Sequence, residues 1–97
     1  MPEEKDPPKK AILALIRGRV QGVGFRYEAR SFARSLSICG WITNLPDGGV
    51  ETYAEGSVVA IDRFVSWLNH GPPGAHVQSV DITPRSPQGA YSSFVVE

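Results

Sequence analysis

Apolar and polar positions follow one another in short blocks whose period switches between two and about three and a half. Ala11 to Ile16 is apolar throughout. A buried helix segment would give the same run, but its brevity and the Gly18 boundary favour a central strand. In Tyr27 to Leu36, Ala29, Phe32, Ala33 and Leu36 stand at i, i+3, i+4 and i+7, while Glu28, Arg30 and Arg34 lie off that stripe, which predicts an amphipathic helix. Gly40 to Asn44 is β-branched and aromatic, Leu45-Pro46-Asp47-Gly48-Gly49 carries turn chemistry, and Val50 to Glu55 alternates with period two. The pair reads as a hairpin with Val50, Thr52 and Ala54 facing inward and Glu51 and Glu55 on a solvated face. Ser57 is placed to cap a second helix whose apolar stripe is Ile61, Phe64, Val65 and Leu68, ended by Gly71-Pro72-Pro73-Gly74. Ala75 to Ile82 and Ser93 to Val96 read as strands joined by a loop from Thr83 to Gly89.

The order β-α-β-β-α-β plus a short final strand predicts an α+β, ferredoxin-like split βαβ sandwich, with two helices on one face of a mostly antiparallel sheet. Residues 11–97 are expected to form one domain, and residues 1–10, rich in proline and mixed charge, a disordered extension. The first two strands are expected to be parallel, joined by a right-handed crossover, so that their C-terminal ends share one edge of the sheet. Leu13 and Leu15 are expected on the face that the helices leave open, where they offer a patch for a weak dimer or for aggregation; a monomer is the expected state.

Charge removes some partners. Ten basic and ten acidic side chains cancel over 97 residues, so no overall field draws in nucleic acid or an acidic membrane, and any anion preference must be local. The single cysteine, Cys39, permits no internal disulfide. With no apolar stretch long enough to span a bilayer and no apolar signal core in the first ten residues, a cytoplasmic location is the default expectation.

The candidate chemistry lies in Gly18-Arg19-Val20-Gln21-Gly22-Val23-Gly24-Phe25-Arg26, between the first strand and the first helix. Such a turn offers unpaired main-chain N–H groups and the positive end of a helix dipole to an anion. Arg26 adds a planar fork of donors matched to a phosphate. The segment is neither a Walker loop nor a dinucleotide fingerprint, because the required Lys-Ser/Thr and third glycine are missing. The glycines alone are equally compatible with a tight turn that binds nothing. Asn44, at the end of the second strand, is expected to face the space above Arg26 although eighteen positions separate them.

These residues resemble the acylphosphatase family. The resemblance is carried by the segment from Gly18 to Arg26, by Gly40-Trp41-Ile42-Thr43-Asn44 leading to Asp47-Gly48-Gly49-Val50-Glu51, and by Glu55-Gly56 and Gly71-Pro72-Pro73, and it covers about Ala11 to Glu97. It implies hydrolysis of the carboxyl–phosphate bond of small-molecule acyl phosphates, without metal or cofactor. The family's essential arginine and asparagine fall on Arg26 and Asn44. Main-chain amides of Gln21, Gly22, Val23, Gly24, Phe25 and Arg26 are then the expected phosphate-binding loop. Ser37, where the family often has glycine, and Thr43, where a basic residue is common, depart from the pattern.

Other readings weigh less. His70 and His76 flank a Gly-Pro-Pro-Gly turn without helical spacing or a carboxylate partner, and so are expected at the surface rather than on a metal. Glu51 and Glu55 as an acid–base pair yield to the simpler solvated strand face, and Cys39 is expected as a small buried residue. RNA-recognition domains share the topology, but Val50 to Glu55 lacks their basic and aromatic signature, so no nucleic-acid partner is expected. A carbamoyl-phosphate-handling domain of a larger enzyme shares the motifs; the short, free-standing length speaks for the independent hydrolase.

Overall fold

A computed structural model describes residues 9–97. The elements follow as β1 (Lys9–Arg19), α1 (Phe25–Ser35), β2 (Cys39–Asn44), β3 (Val50–Ser57), α2 (Val58–Leu68), β4 (His76–Arg85) and β5 (Phe94–Val96). They form one five-stranded sheet in the order β4-β1-β3-β2-β5. β1 and β2 both run antiparallel to β3 and are therefore parallel to each other, with β3 between them. β5 pairs with β2 in parallel. This is the ferredoxin-like arrangement with a short extra strand. Of the expected N-terminal extension, residues 1–8 lie outside the described residues, while Lys9 and Lys10 already pair with Ser57 and Gly56.

Both helices lie on one face of the sheet because alternate strand residues supply one apolar surface. Ile12, Ala14 and Ile16 from β1, Ile42 from β2, and Val50 and Ala54 from β3 are buried in the core that Phe25, Ala29 and Ala33 of α1 and Ile61, Phe64 and Leu68 of α2 cover. Leu13 and Leu15 fall on the opposite face and are half-buried. Ser57 caps α2 as its spacing predicts, its hydroxyl accepting from the Ala60 N–H at 3.1 Å. Trp67 locks the two helices together, edge-on to Phe25 and stacked on Phe32 with ring centres 5.2 and 5.9 Å away.

Several boundaries differ from the expectation, each for a local reason. β4 continues through Thr83, Pro84 and Arg85, which periodicity had assigned to a loop. As an edge strand it tolerates a proline, whose missing N–H can face away from the ladder. Helix α1 begins at Phe25, two residues early, because Gly24 takes the left-handed conformation that caps it (φ 79°). Cys39 is half-buried rather than buried.

Glu55 needs the larger correction. It is only 7% exposed, not on a solvated face. Its carboxylate accepts from the Tyr53 hydroxyl at 2.7 Å and from the main-chain N–H groups of Gln88 and Gly89 at 2.9 and 3.0 Å, so the chain between β4 and β5 folds over this part of the open sheet face. Burial tends to raise its pKa, but these donors together hold it below its ordinary value of 4.5. Tyr53 is pushed up to about 12 by burial and by its bond to Glu55.

Candidate active site

The C-terminal ends of β1 and β2 face the first turn of α1, and the ladder fixes their level. Val50 pairs with Ile16 on one side and with Asn44 on the other. Asn44 lies two residues beyond buried Ile42, so strand alternation turns its side chain to the helix-covered face. There, Val20, Gln21, Gly22, Gly24, Phe25, Arg26, Tyr27 and Asn44 line a cleft of about 180 Å³. Arg26 and Asn44 thus meet across one hollow. Val23 does not line it; its side chain packs against the core instead.

The loop presents its amides because nothing in the fold uses them. Among the described residues, no main-chain hydrogen bond is donated by Gln21 to Tyr27; the first in the helix runs from the Glu28 N–H to the Gly24 carbonyl at 3.0 Å. Gly22 and Gly24 sit at φ 76° and 79°, and a Cβ on either would meet no atom within 4 Å. They are glycines for their backbone conformation and not for lack of room, and the space above them is open to a ligand.

The side chains are held to different degrees. Arg26 donates through one Nη to the Glu97 carbonyl just beyond β5, at 2.8 Å, which anchors the guanidinium and leaves its other donors for a ligand. The Asn44 carboxamide has no hydrogen-bond partner among the described residues and is not fully buried, so both its donor and its acceptor are available in the cleft. Gln21 has a part that sequence reasoning missed. Its Nε2 donates to the carbonyls of Leu45 and Gly49, both at 2.8 Å, and so ties the glycine loop to the turn that follows Asn44. A long amide inside a glycine-rich loop was the only signal for this brace.

That turn is fixed in its own right. The Asp47 carboxylate accepts from the Gly49 N–H at 3.0 Å and from Arg17 at 2.7 Å, and these two donors, the amide first, lower its pKa. His70 and His76 are exposed and are not among the residues that line the cleft. Among the described residues, no three His, Cys, Asp or Glu side chains gather as a metal site would require.

Comparisons with known proteins agree on the family, and the fold also recurs inside a larger protein, T.kodakarensis HypF, whose structure superposes with a TM-score of 0.79 at 31% identity over 91% of this chain and 12% of that one. The family model described as Acylphosphatase matches residues 12–96. An acylphosphatase of Acaryochloris marina is 46% identical over 85 residues, which is 88% of this chain and 90% of the relative. The crystal structure of acylphosphatase from Bacillus subtilis superposes with a TM-score of 0.87 at 33% identity, covering 91% of this chain and 98% of that one. The structure of an acylphosphatase from Coxiella burnetii also gives 0.87, at 37% identity over 92% and 93% of the two chains.

Proposed function

This chain belongs to the acylphosphatase family and hydrolyses acyl phosphates, and we propose that it does so with Arg26 and the Gln21 to Arg26 main chain gripping the phosphoryl group while Asn44 aims the attacking water. The observation that carries this reading is the shared cleft lined by the open glycine loop, Arg26 and Asn44.

An acyl phosphate leaves behind a carboxylate, a good leaving group, so no strong general acid is needed. What the reaction demands is a hold on the phosphoryl oxygens, neutralisation of their charge as the transition state spreads it, and one water in line with the leaving oxygen. The free amides and the positive end of α1 meet the first demand, with Arg26 supplying permanent charge at a fixed position. The Asn44 carbonyl oxygen accepts a hydrogen bond from the water and its amide donates one to a phosphoryl oxygen, which sets the line of attack. A phosphoryl oxygen of the substrate takes the proton that the water loses, so no carboxylate base is called on. On this reading the positive charge comes from the chain itself, and neither metal nor cofactor is required.

The unit that works is the single domain that begins with β1 at Lys9. It acts on a small molecule and not on nucleic acid, as the balanced charge supports, and as a monomer, as the small number of large exposed apolar side chains supports; a cytoplasmic setting is part of the same reading. No helix among the described residues is long and apolar enough to cross a membrane.

The test is phosphate release from benzoyl phosphate in the presence of a chelator, with carbamoyl phosphate alongside. Asn44→Ala should raise the barrier by roughly 3–4 kcal/mol, mostly in kcat, by analogy with the loss of one oxyanion-hole donor. Arg26→Ala should harm both KM and kcat, and Arg26→Lys should not restore them, because an ammonium lacks the two-pronged fork. An Asn44→Ala protein as fast as the parent would remove the water-positioning role.

A further inference from the structure

The phosphoryl site accounts for Arg26 but leaves unexplained the cation one helical turn beyond it. Arg26, Arg30 and Arg34 recur every four residues and so share one face of α1. The outer two are tied to main-chain carbonyls at the β5 edge: Arg26 to Glu97, and Arg34 through Nε to Phe94 at 3.1 Å. Among the described residues Arg30 has neither an ion pair nor a hydrogen bond; only the Tyr27 ring holds it, with the guanidinium carbon 5.2 Å from the ring centre. Arg26 lies 5.7 Å from the same centre. Tyr27 itself lines the cleft and is 53% exposed, so its ring is a surface leading from the catalytic guanidinium to the free one.

Resting on the assignment of the phosphoryl group to the glycine loop and Arg26, we propose that Tyr27 and Arg30 form the subsite for the acyl part, and that the preferred substrates are acyl phosphates carrying a second anionic group, a carboxylate, at the far end of the acyl chain. Four residues of helix separate the two guanidinium-bearing positions by about 6 Å along the axis. An acyl group lying along Tyr27 with its phosphoryl end on Arg26 therefore brings a distal carboxylate to Arg30. The para carboxylate of a benzoyl group spans a comparable distance, and its ring can lie against Tyr27. Arg30 is suited to this because its fork is preorganised by stacking and no carboxylate of the protein already occupies it.

The measurement is kcat/KM for 4-carboxybenzoyl phosphate divided by that for benzoyl phosphate, at low salt, in the parent, in Arg30→Gln and in Arg34→Gln. The parent should prefer the carboxylated compound, chiefly through KM, and Arg30→Gln should lower the ratio by about three- to tenfold, the range of one partly exposed charge-assisted contact. Arg34→Gln should leave the ratio at the parental value, since Arg34 is bound to Phe94. A ratio unmoved by Arg30→Gln, or lowered equally by Arg34→Gln, overturns the subsite. Failure of the parent to hydrolyse either compound would instead overturn the phosphoryl assignment beneath it, so the two failures are told apart.

Discussion

Asn44 and Gln21 show how much the fate of two amide side chains depends on what surrounds them. One has no partner among the described residues; the other spends both donors on carbonyls of the neighbouring turn. The free amide suits a ligand, and the bound one keeps the free amide's strand end level with the loop. Ser37 bears on stability instead. It is the one non-glycine residue with positive φ among those described, at 57°, and it closes α1 with its N–H bonded to the Arg34 carbonyl and the Ile38 N–H to that of Ala33. A left-handed conformation costs an L-residue roughly 1–2 kcal/mol, part of which glycine returns as extra freedom in the unfolded chain. Ser37→Gly should therefore stabilise the fold by about 1 kcal/mol, seen as a higher urea midpoint at unchanged m-value; an unchanged or lower midpoint would mean the strain is relieved elsewhere.

Elements were legible in the sequence where one face is buried and the other is not. The stripes of α1 and α2, the hairpin of β2 and β3 and the Ser57 cap all follow from period and capping chemistry. What alternation could not reveal is a second layer over part of the open face. Glu55 has the parity of an outward residue, and only the return of Gln88 and Gly89, more than thirty positions later, buries it. The consequence is a pH dependence. The folded carboxyl has a lower pKa than the unfolded one, so its contribution is present in full above the ordinary value of 4.5 and is lost as pH falls through the folded value. Glu55→Gln should lower stability near neutrality by about 1–2 kcal/mol and flatten the acid side of the stability profile followed by urea unfolding. A variant whose acid limb runs parallel to the parent's would show that Glu55 is not what holds the segment between β4 and β5.

At the scale of the whole molecule, the meeting of Arg26 and Asn44 is a result of topology. Two parallel strands separated by a third bring their ends to one side, and the crossover helix must start there, so residues eighteen positions apart line one cleft. That much was readable from element order and the level of a hairpin. The Gln21 brace, the Glu97 carbonyl behind Arg26 and the Tyr27–Arg30 stack were not, because each depends on side-chain or chain-end positions that no period encodes. The proposed hydrolysis requires attack at phosphorus by a water held in that cleft. Hydrolysis of benzoyl phosphate in oxygen-18 water, with mass analysis of both products, tests this directly: the label should appear in inorganic phosphate, and label in benzoate, which requires attack at the carbonyl carbon, would contradict it.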